Sequence, residues 1–516
     1  MTPFRLDRRG LLKASGAAVL LASGRRVFAA VEGDTLSLRS ESDIEALDPA
    51  FEKGGVEEEL CRCLFVTLNR LNDFRAPLGW TLYAAETLEQ PDPRQIRFRL
   101  RPGIRWSGDW GTLSAEDVKY TLERVAGAAE SPYTYLYSAL DRVEVVDALT
   151  GIIHLKAPRV AFLLTALPWY SGHILCRAAM EQAGGRFTVA PPATCGPYRI
   201  EEWRPGQSIA LAANPDWAGD KPAFARIRYA VIPDDEVAAL AYEAGSVDLT
   251  RISLNTLSIY QKTPPAGSRL IAAPGTRIVF LALNIQHPKL ADARIRRAIQ
   301  QAIDVEDILL GAYGGIGRRS TGPIPPGMTG HRPSNLTECD PAAAKALLAE
   351  AGVQDLRLVL LALNDTVYMT TALIIQAQLR EIGVSIEIKS LDAGTYWALG
   401  EAGSEFGGER LELALMDYPG STDPSDDLGY FRTEAIGADN WSRFADAEFD
   451  RLFEKCLGES DPAVRDANYR HMQDRMERSG GFLFLTGGAL AAIARDGITP
   501  VILSDDRLDL PRTTRN

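Results

Sequence analysis

Polar and apolar residues alternate through short stretches of the chain and then give way to helical spacing, a change that repeats from about residue 35 to the end. In Gln95–Leu100, every second residue is apolar: Ile96, Phe98 and Leu100. That period of two predicts a half-buried strand, and Arg101-Pro102-Gly103 turns the chain after it. Ser114 then precedes Ala115-Glu116-Asp117, a capping pattern, and Val118, Leu122 and Val125 fall on one helical face. Asp340-Pro341 and Asp461-Pro462 each place a cap and a first-turn proline before an amphipathic run, and Gly352 closes the first of these. Ile278 to Ile285 and Leu411 to Met416 are apolar throughout and short enough for buried strands. Strands and helices that alternate with no repeat and no long linker predict an α/β class with mixed sheets covered by helices.

Composition narrows the picture. A length of 516 residues allows several compact units, and 46% hydrophobic with 24% charged residues is ordinary for a chain that folds. The net charge is −12, and no basic stripe interleaved with aromatics is present, so no nucleic acid partner is expected. Residues 1–29 run against this balance. They carry Arg5, Arg8, Arg9, Lys13, Arg25 and Arg26 against Asp7 alone, and Arg8-Arg9 precedes an apolar run from Leu11 to Ala22. With small residues up to Ala29 and Ala30, this reads as a cleavable export signal, and Asp7-Arg8-Arg9-Gly10-Leu11-Leu12-Lys13 resembles a twin-arginine signal. The run is too short to span a bilayer.

Candidate chemistry is sparse. Six cysteines, Cys61, Cys63, Cys176, Cys195, Cys339 and Cys456, lack paired C-x-x-C units, and the histidines stand far apart, so no metal and no cofactor is expected. Core thiols with at most one disulfide are the expectation. H-E-x-x-H, G-x-S-x-G and a phosphate-binding Gly-Lys-Ser/Thr are all missing; Gly311 to Gly322 is glycine-rich but carries Arg318-Arg319-Ser320. No enzymatic activity is expected. A hydrolase with two acids distant in sequence is the alternative from another class.

Several ordered segments carry a resemblance. They are Ala46-Leu47-Asp48-Pro49-Ala50-Phe51; Ile96 to Trp106 followed by Leu113 to Val118; Ala193-Thr194-Cys195-Gly196-Pro197-Tyr198; Asn214-Pro215-Asp216-Trp217; Gly245-Ser246-Val247-Asp248; and Asp292 to Ala298. Together they resemble extracellular solute-binding proteins of family 5, which serve peptide, dipeptide, nickel and opine ABC importers. Cys195 stands where that family has glycine, a strained substitution if the position needs positive φ.

The resemblance implies a two-lobed, periplasmic-binding-protein-like fold with an inserted subdomain and a hinge. Residues 1–29 would be the export signal, and 30–67, 194–283 and 487–516 lobe I. Residues 68–193 would be its inserted subdomain and 284–486 lobe II. It also implies a periplasmic monomer that captures a peptide or peptide-like solute and delivers it to the permease of an ABC importer. The alternative solute is a metal chelate, opine or modified sugar.

By position, Lys53, Gly55 and the strand exit after Leu415 would offer backbone edges to the solute. Tyr133 matches a cleft tyrosine of the inserted subdomain. Tyr396, Trp397, Tyr418 and Trp441 would line the cleft, and Arg410 would meet a carboxylate. In peptide binders an aspartate that takes the ligand ammonium lies three residues before the acid of an Asp-Pro pair. Here the acid is Asp423 and counting back gives Gly420, so Asp417 inherits the role only through a rebuilt loop.

Overall fold

The computed structural model describes residues 34–516 except 53–54, 73–78, 401–406, 504–506 and 516. The expected export signal over 1–29 therefore lies outside the described residues. Three sheets organise the chain. The first has seven strands in the order Ser268–Pro274, Ala489–Arg495, Leu249–Arg251, Thr35–Ser40, Arg226–Val231, Ser208–Ala213 and Tyr198–Arg204. Thr35–Ser40 runs parallel to both of its neighbours, so the chain order reverses direction on either side of it.

The second sheet is a four-stranded antiparallel unit between the first strand and the rest of that seven-stranded sheet. Its order is Ala85–Asp92, Gln95–Leu100, Thr150–Leu155 and Leu140–Val145. Ile96, Phe98 and Leu100 point into its core, as their alternation predicts. Helix Ala115–Gly127 covers this sheet, and Ser114 N–H donates to Asp117 Oδ2 at 2.9 Å, closing the cap.

The third sheet holds five strands, in the order Ser385–Leu391, Arg357–Leu363, Leu413–Tyr418, Ile278–Leu283 and Phe482–Thr486. All six residues of Ile278–Leu283 are buried, because helices cover both faces of the sheet. Phe280 sits among Tyr418, Phe431, Phe482 and Phe484 at centroid distances of 5.4 to 6.0 Å. Proline-led helices Pro341–Glu350 and Pro462–Ser479 start at Asp340 and Asp461.

A boundary needs correction here. Ile278–Leu283 was expected in the first lobe, yet it pairs with Leu413–Tyr418 and Phe482–Thr486 in the third sheet. The chain passes from one lobe to the other at 275–277, where Gly275 N–H donates to Gly488 O and Arg277 N–H to Gly487 O. The two crossing segments thus run side by side as an antiparallel ribbon. Contact is so close that a Cβ on Gly275 would lie 2.6 Å from Gly487 O, and one on Gly487 would lie 2.3 Å from Gly275 O. Only glycine fits at either place.

The six cysteines are free thiols, five of them buried. Cys195 is not among the positive-φ residues and carries no strain of that kind. The close approach is made by Gly196, whose Cβ would fall 2.4 Å from Cys63 O. No described helix is long and apolar enough to cross a membrane.

Candidate functional site

A strand whose two neighbours lead away in opposite directions leaves a crevice at its carboxyl end. In the first lobe that strand is Thr35–Ser40. A solvent-open crevice of about 750 Å³ lies there, lined by Ser40, Ser42, Gly55, Thr250, Arg251 and Arg507 among others. Gly55 has φ of 71° and precedes helix Val56–Leu64, a backbone conformation that favours glycine. Glu59, on the same helix, accepts the Tyr229 phenol at 2.6 Å. Lys53 lies outside the described residues.

In the second lobe, strand Leu413–Tyr418 ends beside the crossing ribbon, where Tyr418 pairs with Ile278. Asp417 receives Arg277 Nε at 2.5 Å, and Arg277 belongs to the crossing ribbon. Burial pushes the Asp417 carboxyl up, against the pull of Arg277 and of a hydrogen bond from Tyr368. The carboxylate expected to meet a solute cation is therefore already engaged by a cation of the protein. Three residues on, a Cβ at Gly420 would fall 1.7 Å from Thr276 O. No side chain, and so no carboxylate, can stand at 420 while the loop rests against the crossing ribbon.

Tyr418 stacks on Tyr430 with centroids 4.4 Å apart and donates its hydroxyl to the Asp439 carbonyl. Trp397 is 44% exposed and meets Tyr396 edge-on at 5.2 Å. Tyr396 itself is fully buried, with its phenol on the Leu415 carbonyl, and Trp441 is buried, with its indole N–H on Ala438 O at 2.7 Å. These two are core residues, which corrects the expectation that they line the cleft.

Asp423 is corrected in the same way. It caps helix Pro424–Gly429 through Ser425 N–H at 2.9 Å, and its other oxygen takes Arg465 at 2.8 Å, all at 2% exposure. Tyr133 is half-buried and donates to Glu52 O and Glu52 Oε1 at 3.0 and 2.8 Å. Arg410 ends the exposed turn Gly408–Arg410.

Pattern reading missed the contacts between the inserted subdomain and the second lobe. Arg159 Nη2 lies 3.5 Å from Asp426 Oδ1, Thr422 Oγ1 donates to Leu164 O at 2.8 Å, and Val160 N–H donates to Leu457 O at 3.2 Å. Burial raises Asp426 to about 7, although Arg159 opposes the shift. Three segments thus meet at one end of the cleft: the loop 158–164, the turn 421–426 and the end of helix Ala447–Gly458.

No group of ligands able to hold a metal ion is present among the described residues. The arrangement provides two walls on separate sheets, a backbone ribbon between them and a clasp at one end, which is a geometry for enclosing a solute.

Comparison with known proteins agrees in outline. The model for bacterial extracellular solute-binding proteins, family 5, matches residues 82–428. The probable D,D-dipeptide-binding periplasmic protein DdpA of Escherichia coli (strain K12) is 25% identical over 488 residues, 91% of each chain. Among solved structures, NikA from Brucella suis in complex with Fe(III)-EDTA superposes with a TM-score of 0.83 at 21% identity, covering 93% of this chain and all of that one. MoaA from A. tumefacien R10, in complex with mannopinic acid, gives 0.76 at 22% identity over 94% of this chain and all of that one. The two-lobed α/β fold is common to this chain and to both solved structures.

Proposed function

Because the chain belongs to family 5 of the bacterial extracellular solute-binding proteins, we propose that it captures a peptide or peptide-like solute between its lobes and delivers it to an ABC importer. The observation that carries this reading is the pairing of a first-lobe crevice with a second lobe that the chain reaches through the glycine-centred ribbon at 275–277 and 487–488, with the clasp as the other contact described between them. A solute that touches both walls favours the closed arrangement by its differential affinity, and no chemical step is required. The reading makes the mature chain a periplasmic monomer, with residues 1–29 as its export signal and a membrane permease as the partner that senses closure. Gly55, Tyr133, Trp397, Arg410 and Asp417 remain its candidate solute contacts, with Lys53, whereas Tyr418, at 6% exposure and stacked on Tyr430, is buried like Trp441.

A second reading has its own support. With Asp417 on Arg277 and no room for a side chain at Gly420, the second-lobe wall offers no spare carboxylate at the positions where peptide binders hold an ammonium. This favours a solute without a free amine there, such as an opine-like or chelate compound. Losing a charge-assisted hydrogen bond of ~1.5–3 kcal/mol would suffice to select against free peptide N-termini.

Mass spectrometry of the solute released on denaturing the purified protein distinguishes the two readings. A free peptide supports the first, and an amine-blocked or non-peptide solute the second. The same compound, added at a hundred times its Kd, is expected to add ~2.7 kcal/mol of stability. Conversion of that compound into products during incubation would overturn both.

A further inference from the structure

A second concavity lies away from the crevice at the end of Thr35–Ser40, and its charge has the opposite sign to that of the whole protein. It is a solvent-open groove of about 2010 Å³ between the inserted subdomain, the loop 217–223 and the C-terminal tail. None of its described lining residues comes from the second lobe. Four cations, Arg70, Arg101, Lys221 and Arg512, line it against the single carboxylate of Asp220, in a chain of net charge −12. Such a local reversal concentrates anions against the repulsion of the rest of the surface.

The cations are not all committed within the fold. Arg512 is fixed by Asp509 at 2.6 Å and by Leu71 O at 2.9 Å. Among the described residues, Arg101 donates to the Ala85 carbonyl, at 3.4 Å. Arg70 lies over the Tyr83 ring at 4.7 Å, and its Nε is buried with no hydrogen-bond partner. Among the described residues no carboxylate pairs with Arg70, Arg101 or Lys221.

The groove also offers flat surfaces. Trp217 and Tyr83 are half-buried with ring centroids 6.0 Å apart at 57°. The Trp217 N–H is spent on Asp220 O at 3.0 Å, so the indole contributes ring surface rather than a donor. Aromatic faces beside forked cationic donors suit a planar group that carries an acid.

We propose that this groove is a second binding site, separate from the inter-lobe crevice, for a small organic anion with a flat unsaturated part. The acid meets Arg101 and Lys221, with Arg70 adding to the positive field, and the ring rests against the exposed side of the Trp217–Tyr83 pair. Phenyl phosphate is a direct probe, with phenol and inorganic phosphate as its two halves, measured by calorimetry on the full mature chain. Phenyl phosphate is expected to bind at least about tenfold more tightly than either half, and to weaken several-fold as salt rises from about 0.05 to about 0.5 M.

The charge reversals Arg101→Glu and Lys221→Glu together, both at exposed positions, should leave thermal stability unchanged and remove the binding. Retained affinity in that double variant would overturn the proposal, as would phenol binding as tightly as phenyl phosphate. Capture of the chain by phosphatidylglycerol vesicles without binding of free phenyl phosphate would assign the groove to a lipid headgroup and overturn the soluble-anion reading.

Discussion

Asp423 serves its helix and a buried arginine at once. One oxygen caps helix Pro424–Gly429 through Ser425 and the other meets Arg465, which also contacts Tyr469 Oη at 3.1 Å. Replacing it removes a charge partner from a guanidinium that has little access to water. Asp423→Ala is expected to destabilise the fold by ~3–5 kcal/mol, read from urea unfolding, with no change in the chemistry of the solute the surviving fold binds. The Asp-Pro pair announces the cap from sequence alone. Its ion-pair partner, 42 positions away, gives no local signal, so the sequence invites a ligand role that the structure assigns to stability. Gly420 is similar: a glycine in a loop looks permissive, and only the fold brings Thr276 O against it.

At the scale of elements, the clasp between loop 158–164 and the turn 421–426 carries a pH dependence. Arg159, Ser421, Asp423 and Asp427 surround Asp426, and burial is the largest influence on it, raising it from 3.8 to about 7. Asp427 is raised as well, also chiefly by burial. A carboxyl that holds its proton more tightly in the folded chain makes the folded state bind more protons between those two values. Stability from this group is therefore greatest below pH 3.8 and is lost as pH rises through about 7. Asp426→Asn is expected to flatten the fall in the urea midpoint across that window, and an unchanged slope would mean that other groups govern it.

Elements with a strong local period were legible in the sequence, among them Gln95–Leu100 and the capped helices at Ser114, Asp340 and Asp461. Sheet membership was not. Ile278–Leu283 is apolar on both faces in either lobe, and only its pairing with 413–418 and 482–486 decides where it belongs. The clasp was invisible for a related reason, since Arg159 and Asp426 lie 267 positions apart.

For the whole molecule, enclosure should be measurable as a change of shape. Small-angle scattering of the chain freed of solute is expected to show a larger radius of gyration than the chain saturated with its released solute. Arg159→Ala, which removes one end of the clasp, should enlarge the solute-free form further while leaving both lobes folded. Identical profiles with and without a confirmed solute would remove enclosure from the account.

The ribbon at Gly275 and Gly487 has a consequence for how such a protein diversifies. Its fit depends on the lack of side chains at Gly275 and Gly487, while Asp417 and the loop at Gly420 rest directly on Arg277 and Thr276 of the ribbon. Changes at Trp397 or Arg410 leave those contacts intact, whereas changes at Asp417 act on Arg277 and so on the joint itself. An engineer building a reporter would therefore rewrite the walls at positions remote from the ribbon, keep Asp417 and Gly420 as they are, and attach the fluorophore across the gap.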